Sequence, residues 1–410
     1  MEEVSDGDIP LNGLLSFAPR TDGEAIGGTQ DTAADSAPRS ASVAADTPDA
    51  AQALAGMLGP GPFALIVLFA SLQADIAPLL ADAARHYPHS RITGCTTAGE
   101  IGASGYETGQ IVALALPETS FAAEYVVIEN IEHIATREIV AEVLHAREDL
   151  TRRAEALPHD LAILLVDGLS GQEEALIAAL TGGLGHVPMV GGSAGDSGHF
   201  RNAKVFADGR ILDNAAILCL IRSRGELRNF SFDNNRPSSA RMIVTAADPL
   251  RRIVTRINDE PAALEYARLV GLPVDALTAD VFATRPVLVR AGGSYHARAI
   301  RHALPDNSLV FFSAIAEGMV LTIAQSSDIA EHLEGALAEI SAAGAPDLIL
   351  GFDCIFRRID AESRQKGAEV SRILANNRVV GFSTYGEQFG GLHVNQTLTG
   401  VAFYPPEVRP

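Results

Sequence analysis

The sequence predicts an α/β fold made of repeated strand–helix–strand units, with an added antiparallel β-meander and two halves. Three short motifs indicate the repeat, each with a small hydroxyl residue, a spacer, a glycine and an acid: Thr97-Ala98-Gly99-Glu100, Ser193-Ala194-Gly195-Asp196 and Thr384-Tyr385-Gly386-Glu387. An apolar strand-like run, a helix-like segment and a second short apolar run precede each motif. Hydrophobic periodicity and fixed internal motifs are the main sequence signals of repeated units.

The composition is that of a folded protein with two domains. The chain has 410 residues, of which 47% are hydrophobic and 20% are charged, and this length exceeds that of one ordinary core. The formal net charge of −20 argues against nucleic acid as a partner, because phosphates need a basic surface. No apolar run approaches the roughly 18 residues of a membrane-spanning helix, and the N-terminus lacks a signal-peptide pattern. We therefore expect a cytoplasmic protein without membrane insertion.

Residues 1–46 are predicted to be a disordered acidic tail. The first fifty residues hold ten acids and two bases and few large apolar groups. Such a segment buries too little apolar area to offset the entropy lost on ordering. An acidic docking tail is the functional alternative.

The first domain, residues 47–222, contains two of the three units. A helix is predicted from Thr47-Pro48-Asp49 to about Met57, because a hydroxyl residue before proline is a typical helix start. Further helices are predicted at Ala74–Tyr87 and at about Gln172–Thr181. The predicted strands are Phe63–Ala70, Ile92–Cys95, Gln110–Leu116, Leu161–Val166, Pro188–Val190, Lys204–Phe206 and Ala215–Ile221.

The second domain, residues 241–405, follows a polar stretch at residues 223–240 that we interpret as the linker. It begins with strands and a helix ending near Gly271, and continues as a β-meander up to about Ala324. A helix at Asp328–Ala343 leads into the third unit. That unit has a strand at Asp347–Cys354, a helix at Ala361–Ala375 and a short strand before its motif.

The acids Glu100, Asp196 and Glu387 allow two interpretations. In the first, each acid only accepts hydrogen bonds from the amides of its own turn. Alternatively the three acids converge on one cleft, because loops at the carboxyl ends of parallel strands are where α/β folds bind ligands.

The segment after the third motif holds the strongest candidate for a ligand-binding histidine. His393, Asn395 and Thr397 alternate along a predicted strand, so they are expected on one face. A neutral imidazole there can ligate iron or donate to an anionic ligand, although a lone histidine is more often a satisfied structural residue. His199, three residues after Asp196, is a weaker alternative.

Three further residues could contribute to a ligand site. Cys354 ends a buried run and is either a core cysteine or a thiolate ligand of haem. Arg357 and Arg358 could hold an anionic ligand, or pair with acids for structural reasons. The cysteines, Cys95, Cys219 and Cys354, are odd in number and far apart, which argues against disulfides and structural zinc.

The ordered motifs make the chain resemble the FIST family of bacterial sensory proteins, which have a FIST N-terminal and a FIST C-terminal domain. The resemblance covers about residues 48–405 and rests on GCTTAGEI (94–101), GGSAGD (191–196), Phe352-Asp353-Cys354, GFSTYGE (381–387) and NQTLTGV (395–401). It implies a sensor in signal transduction that binds a small ligand and is not an enzyme. The GEQFGGLHVNQT version is similar to the stand-alone haem proteins that sense nitric oxide.

The resemblance to that subgroup implies haem as cofactor, with His393 as the iron ligand. It also implies a separate partner enzyme, which is either a histidine kinase of a two-component system or a diguanylate cyclase or phosphodiesterase of a cyclic-di-GMP pathway. A second hypothesis is a sensor of an amino acid or similar metabolite, held by Glu387, Asn395, Thr397 and the Arg357–Arg358 pair, with Glu100 and Asp196 in the same cleft. A third is an enzyme that uses Glu387 and His393 as acid and base.

Overall fold

The computed structural model describes residues 36–196, 200–291 and 293–406. It confirms the α/β class, with four mixed or antiparallel sheets and helices on their outer faces. Most of the predicted tail, together with His199, lies outside the described residues.

Three units with one strand order form the body of the molecule. Unit 1 comprises β1 (Arg39–Ala44), α1 (Ala50–Leu58), β2 (Phe63–Ala70), α2 (Ile76–His86), β3 (Arg91–Thr96), β4 (Glu100–Gly102), β5 (Gly105–Glu107) and β6 (Gln110–Pro117). Unit 2 comprises β7 (Phe121–Glu129), α3 (Thr136–Arg153), β8 (His159–Val166), α4 (Glu173–Leu184), β9 (Met189–Ser193), β10 (Val205–Ala207), β11 (Arg210–Leu212) and β12 (Ala215–Ser223).

Unit 3 starts with β13 (Leu227–Phe232) and is then interrupted by an insert. The insert comprises β14 (Asn235–Asp248), β15 (Ile253–Ile257), β16 (Glu260–Pro261), α5 (Ala262–Val270), α6 (Ala279–Thr284), β17 (Val287–Ala291), β18 (Ser294–Arg298), β19 (Ile300–Ala303), β20 (Leu309–Phe311) and β21 (Val320–Ser326). Unit 3 resumes with α7 (Ile329–Ser341), β22 (Leu348–Cys354), α8 (Ile355–Ser363), α9 (Gly367–Asn376), β23 (Val379–Thr384), β24 (Glu387–Phe389), β25 (Leu392–Val394) and β26 (Leu398–Phe403).

Each unit gives the hairpin that follows its motif to the sheet of another unit. The first sheet has the order β1-β6-β2-β3 and is extended by the β10–β11 hairpin of unit 2. The second, β7-β12-β8-β9, is extended by the β24–β25 hairpin of unit 3, and the third, β13-β26-β22-β23, by the β4–β5 hairpin of unit 1. The two central strands of each sheet are parallel, as in β2 and β3. The units are therefore related by an approximate three-fold repeat.

The inner faces of the three sheets share one hydrophobic core. Phe69 of unit 1 stacks on Phe382 of unit 3 with ring centroids 4.9 Å apart, and Ile163 and Val190 of unit 2 belong to the same cluster. The outer face of each sheet is covered by its own helices. This double burial explains why β2 is continuously apolar, since a strand covered on both faces has no solvent side.

The insert forms a separate sheet with the order β18-β17-β21-β14-β15-β20-β19. Its core also contains Ala98, Cys354, Phe356 and Tyr385, which belong to the body. The insert therefore packs over the end of the body where the first and third motifs lie.

Three predictions need correction. The predicted disordered tail includes Arg39–Ala44, but these residues form β1. Its small residues pair along their full length with β6 and gain backbone hydrogen bonds rather than apolar burial. Residues 223–240 are not a linker, because β13 is a polar edge strand paired with β26 and β14 starts at Asn235. The helix predicted at Ala361–Ala375 is two helices, α8 and α9, with a left-handed Gln365 (φ 61°) between them.

Candidate functional site

The three motif turns meet in the interior of the body. Backbone hydrogen bonds connect them: Ala98 N to Ser383 O (2.9 Å), Ser383 N to Gly99 O (2.7 Å), Ser193 N to Gly386 O (2.8 Å), Tyr385 N to Ser193 O (3.1 Å) and Gly195 N to Thr96 O (3.1 Å). The contact between turns is close, because a Cβ on Gly195 would lie 2.8 Å from the Cβ of Ala98. The glycines of the motif thus permit the turns to approach one another.

Glu100 connects the first turn to strand β6 by hydrogen bonds. Its carboxylate accepts a hydrogen bond from the hydroxyl of Thr97 and another from the backbone N–H of Gln110 at 2.9 Å. The side chain is buried, and burial raises the pKa of this carboxyl above its ordinary value although both hydrogen bonds oppose the shift.

Glu387 has the same role in the third turn. Its carboxylate accepts hydrogen bonds from the hydroxyl of Thr384, and from the hydroxyl (2.8 Å) and backbone N–H (3.2 Å) of Thr397. The side chain has no solvent exposure, and burial raises its pKa to about 8 against the opposing effect of these donors. All the contacts of this acid are therefore those of a turn-closing residue.

Asp196 differs because its shorter side chain binds the loop that follows it. Its carboxylate accepts hydrogen bonds from the N–H groups of Phe200 (2.6 Å), Arg201 (2.5 Å) and Asn202 (2.8 Å), and from the hydroxyl of Tyr385. Burial acts to raise the pKa of Asp196, but these hydrogen bonds together lower it. Asp196 thus links the second motif to the third, and the structural interpretation accounts for the contacts of all three acids.

His393 lies on the other face of the hairpin from Glu387. In the β24–β25 pair, His393 is opposite Gln388 while Glu387 is opposite Val394, and neighbouring residues of a strand point to opposite faces. His393 is 4% exposed, and it packs so closely that a Cβ on Gly386 would lie 2.2 Å from its Cε1. An acid–base mechanism that uses Glu387 and His393 together is therefore not supported by their placement.

Asn395 remains near His393, but Thr397 does not. Strand β25 ends at Val394, and Gln396 has a left-handed backbone conformation (φ 55°) that breaks the alternation. Asn395 consequently turns towards the insert, where its Oδ1 accepts a hydrogen bond from the hydroxyl of Ser313 at 2.7 Å. Thr397 turns towards Glu387. The prediction that all three side chains share one face was wrong for Thr397.

Charged side chains surround His393. Glu173 and Glu174 begin α4, and both carboxylates lie 2.6 Å from Nη2 of Arg252, which belongs to the insert. Burial lowers the pKa of His393; Glu173 and Glu174 oppose this shift, while Arg252 and Arg298 add to it. The imidazole is therefore neutral near pH 7, within a cluster of two acids and two arginines.

Several buried polar atoms of this cluster have no hydrogen-bond partner among the described residues. They are both ring nitrogens of His393, Nδ2 of Asn395 and Oε1 of Gln388. Gln388 is otherwise held by its Nε2, which donates to the hydroxyl of Ser193 at 3.0 Å. Buried polar groups in native proteins are nearly always hydrogen-bonded, so these unpaired donors and acceptors mark a position suited to a polar ligand. We name His393, Asn395, Gln388, Glu173, Glu174, Arg252 and Arg298 the histidine cluster.

Arg357 lies in a different buried site. It is 2% exposed, its Nε donates to Oδ1 of Asp353 at 2.7 Å, and its Nη1 donates to Oδ1 of Asn234 at 2.9 Å. Asp353 also accepts a hydrogen bond from the hydroxyl of Tyr106 in the hairpin of unit 1. These contacts identify Arg357 as one member of a buried ion pair within unit 3, to which Tyr106 of unit 1 is hydrogen-bonded.

Arg358 also holds the β4–β5 hairpin rather than the histidine cluster. Its guanidinium donates to the backbone oxygen of Glu107 and to the hydroxyl of Thr108, both at 2.8 Å, and its Nε donates to Glu362 at 3.0 Å. The predicted pairing of Arg357 and Arg358 around one ligand is therefore not seen. The weaker haem candidate, His199, lies outside the described residues.

The surroundings of His393 fit a small polar ligand better than haem. Haem binds in a slot with mostly apolar walls, whereas charged and amide side chains surround this imidazole. Four surface cavities of about 310–720 Å³ lie elsewhere, and His393 lines none of them. Cys354 is also unsuited to iron, because burial and the nearby Glu387 raise the pKa of its thiol well above the ordinary value.

Glu173, Glu174, Arg252, Arg298 and Gln388 were missed by the sequence analysis. The two glutamates follow a buried strand and open a helix, which is a position where α/β folds place ligand-binding side chains, so they could have been found. Gln388 directly follows the third motif. No sequence pattern marked the two arginines as site residues. They belong to the insert, and only the tertiary fold places them beside the β24–β25 hairpin.

Family models match most of the chain. The FIST N domain model matches residues 64–260 and the FIST C domain model matches residues 262–390. The chain belongs to the FIST family. FIST domains are small-ligand sensor domains of signalling proteins, so the sensory role predicted from the motifs is confirmed at this level. The junction of the two matches falls inside the insert, near β16, and not at the predicted linker.

Other comparisons add little to the family assignment. No curated protein matches the FIST protein. A solved structure described as a chorismatase matches with 12% identity and a TM-score of 0.34, covering 90% of this chain and 98% of that chain. A TM-score of this size carries no argument about fold or activity.

Two features are absent from the described residues. None of their helices is long and apolar enough to cross a membrane. Within the same ranges, no group of three or more His, Cys, Asp or Glu side chains could hold a metal ion.

Proposed function

We propose that this FIST protein senses an amino acid or a similar small zwitterionic metabolite, which binds at the histidine cluster. The observation that carries the proposal is the set of unpaired polar atoms on His393, Asn395 and Gln388, all at least nine-tenths buried. A ligand that supplies the missing donors and acceptors would remove the free-energy cost of leaving them unsatisfied.

The charges of the cluster suit a ligand with one positive and one negative group. Glu173 and Glu174 share a single guanidinium, that of Arg252, so an ammonium group could take part of their hydrogen-bonding capacity. Burial lowers the pKa of Arg298, which means that its charge lacks full compensation and would gain from a carboxylate. The formal charges of the two acids and the two arginines cancel. A neutral or zwitterionic ligand leaves this balance unchanged, because it adds no net charge to the site.

The test is the change in melting temperature of the FIST protein with the twenty amino acids and their close derivatives. A ligand that binds only the folded state adds RT ln(1 + [L]/Kd), about 2.7 kcal/mol at one hundred times Kd. We expect one chemical class to raise the melting temperature and His393→Gln to reduce that rise. The control is His145→Gln, because His145 is an exposed histidine of α3. The proposal fails if no compound stabilises the protein, or if His393→Gln and His145→Gln respond alike.

The sensed state would be passed to a separate signalling enzyme in the cytoplasm. We infer a histidine kinase or a diguanylate cyclase or phosphodiesterase as that partner, and we infer that the FIST protein itself performs no turnover. The separation of Glu387 and His393 on opposite faces of the hairpin supports the second inference. Recovery of the stabilising compound unchanged after prolonged incubation would agree with it, and product formation would contradict it.

Haem with nitric-oxide sensing is a second candidate, and the two unpaired ring nitrogens of His393 are the observation in its favour. When bound, haem would supply an iron centre for the gas, and His393 would be its protein ligand. The measurement is an absorption spectrum of protein expressed with haem supply. A stoichiometric Soret band that shifts with nitric oxide and is lost in His393→Gln would establish haem. We expect a substoichiometric band that His393→Gln does not change, because the cluster is polar.

A further inference from the structure

A cleft of about 720 Å³ lies between unit 1 and unit 2, away from the histidine cluster. Unit 1 contributes Ala64 of β2, Leu80 of α2 and Arg91 at the start of β3, and unit 2 contributes Phe121 and Tyr125 of β7. Binding sites for small molecules usually have volumes of roughly 300–1,000 Å³ and are often formed where two structural units meet. We name this space the inter-unit cleft.

Two guanidinium groups of the cleft share a single carboxylate. Nη2 of Arg91 and Nη2 of Arg153 each lie 2.7 Å from the carboxylate of Glu124. The two arginines come from different units, since Arg153 ends α3 of unit 2. Their side chains are 39% and 49% exposed, so both remain accessible from the cleft. A guanidinium offers five N–H donors in a planar fork, and one carboxylate cannot use the donors of both.

Apolar and aromatic groups form the wall beside these arginines. The Tyr125 ring lies 5.3 Å from Cζ of Arg91, and its hydroxyl is engaged by the carboxylate of Asp208. The exposed Pro88 of unit 1 and the half-buried Ala122 of unit 2 provide apolar surface on opposite sides of the unit boundary. A ligand with a flat apolar body could therefore pack against this wall while its anionic end meets the guanidinium groups.

We propose that the inter-unit cleft binds a small monocarboxylate with a flat apolar body, held by Arg91 and Arg153. The formal net charge of −20 repels polyanions such as nucleic acids. A monoanion would compete with Glu124 for the two guanidinium groups, in a cleft that Glu118 and Asp208 also line. The site shares no residue with the histidine cluster, so it gives the FIST protein a second ligand that can be tested independently of the sensed one.

The experiment is calorimetric titration of the full chain with naphthalene-2-carboxylate and with the uncharged naphthalene-2-carboxamide. The variants are Arg91→Met, Arg91→Lys and Arg153→Met. The matched control is Arg85→Met, because Arg85 is 74% exposed on α2 and pairs with Asp82 on the same helix. The melting temperature of each variant shows that it is folded.

We expect the carboxylate to bind with measurable affinity and the amide to bind at least tenfold more weakly. Arg91→Met should weaken binding of the carboxylate about tenfold or more, because hydrogen bonds between charged groups are stronger than those between neutral groups. Arg91→Lys should give an intermediate loss, and Arg85→Met none. His393→Gln should leave this binding unchanged, which separates it from the sensory site. The proposal is overturned if the carboxylate does not saturate the wild-type protein, if the amide binds equally well, or if folded Arg91→Met and Arg153→Met keep full affinity.

Discussion

Arg357→Met is expected to lower the free energy of unfolding by about 3–5 kcal/mol, because it leaves a buried carboxylate without its counter-charge. Asp353 is 1% exposed and Arg357 is 2% exposed, and the two side chains lie 2.7 Å apart. Burial raises the pKa of Asp353, and Arg357 is the main group that opposes this shift. Since folded domains are stable by only about 5–15 kcal/mol, the loss is a large fraction of the total. Urea unfolding measures it.

Two companion variants show whether the buried ion pair causes the loss. Asp353→Asn in the Arg357→Met background should recover part of the stability, because it removes the charge that has lost its partner. Arg152→Met should change stability by less than about 1 kcal/mol, because the Asp149 partner is 40% exposed and the pair is a surface one. A loss below about 1 kcal/mol for Arg357→Met would instead mean that water reaches Asp353.

Glu387 is expected to make stability depend on pH in the direction opposite to that of an acid whose pKa is lowered by folding, such as Asp196. Its folded pKa of about 8 lies above the ordinary value of 4.5, so between these values the folded chain binds more protons than the unfolded chain. The contribution of Glu387 to the free energy of unfolding therefore falls as pH rises from about 4.5 to 8, and is constant above that. The slope for one proton is roughly 1.4 kcal/mol per pH unit.

The matched variant for this prediction is Glu387→Gln, which cannot ionise. The difference in unfolding free energy, variant minus wild type, should increase with pH between 5 and 8. Glu387→Ala should cost about 3–4 kcal/mol at pH 5, because the hydroxyls of Thr384 and Thr397 and one buried N–H lose their acceptor. A difference that stays constant from pH 5 to 8 would mean that the three donors keep Glu387 ionised throughout.

Local patterns in the sequence were sufficient to predict the units of the fold. Phe63–Ala70 could be assigned to a strand covered on both faces, because a strand without a solvent side is continuously apolar. This pattern is visible within eight consecutive residues. The partner of each hairpin could not be predicted in this way. Glu387 of β24 pairs with Gly192 of β9 in unit 2, nearly two hundred residues earlier in the chain. No periodicity within the third unit encodes the pairing of these two strands.

The candidate site was predictable only in part for the same reason. His393 and Asn395 were found because they alternate beside a glycine-rich motif. Thr397 was assigned to the same face because the left-handed conformation of Gln396, a residue without a strong preference for it, was not anticipated. Arg252 reaches α4 from the insert, so its pairing with Glu173 is a consequence of tertiary packing alone.

The exchange of hairpins makes the body of the FIST protein equivalent to a closed head-to-tail trimer within one polypeptide. Unit 2 gives its hairpin to unit 1, unit 3 gives to unit 2, and unit 1 gives to unit 3, so that every donor is also an acceptor. Heterologous contacts of this kind are complete only when the cycle closes, as in ring-shaped oligomers built from separate subunits. Here the covalent chain fixes the number of members at three and makes them non-identical. One interface can therefore keep a polar cluster around His393 while another keeps an open cleft around Arg91.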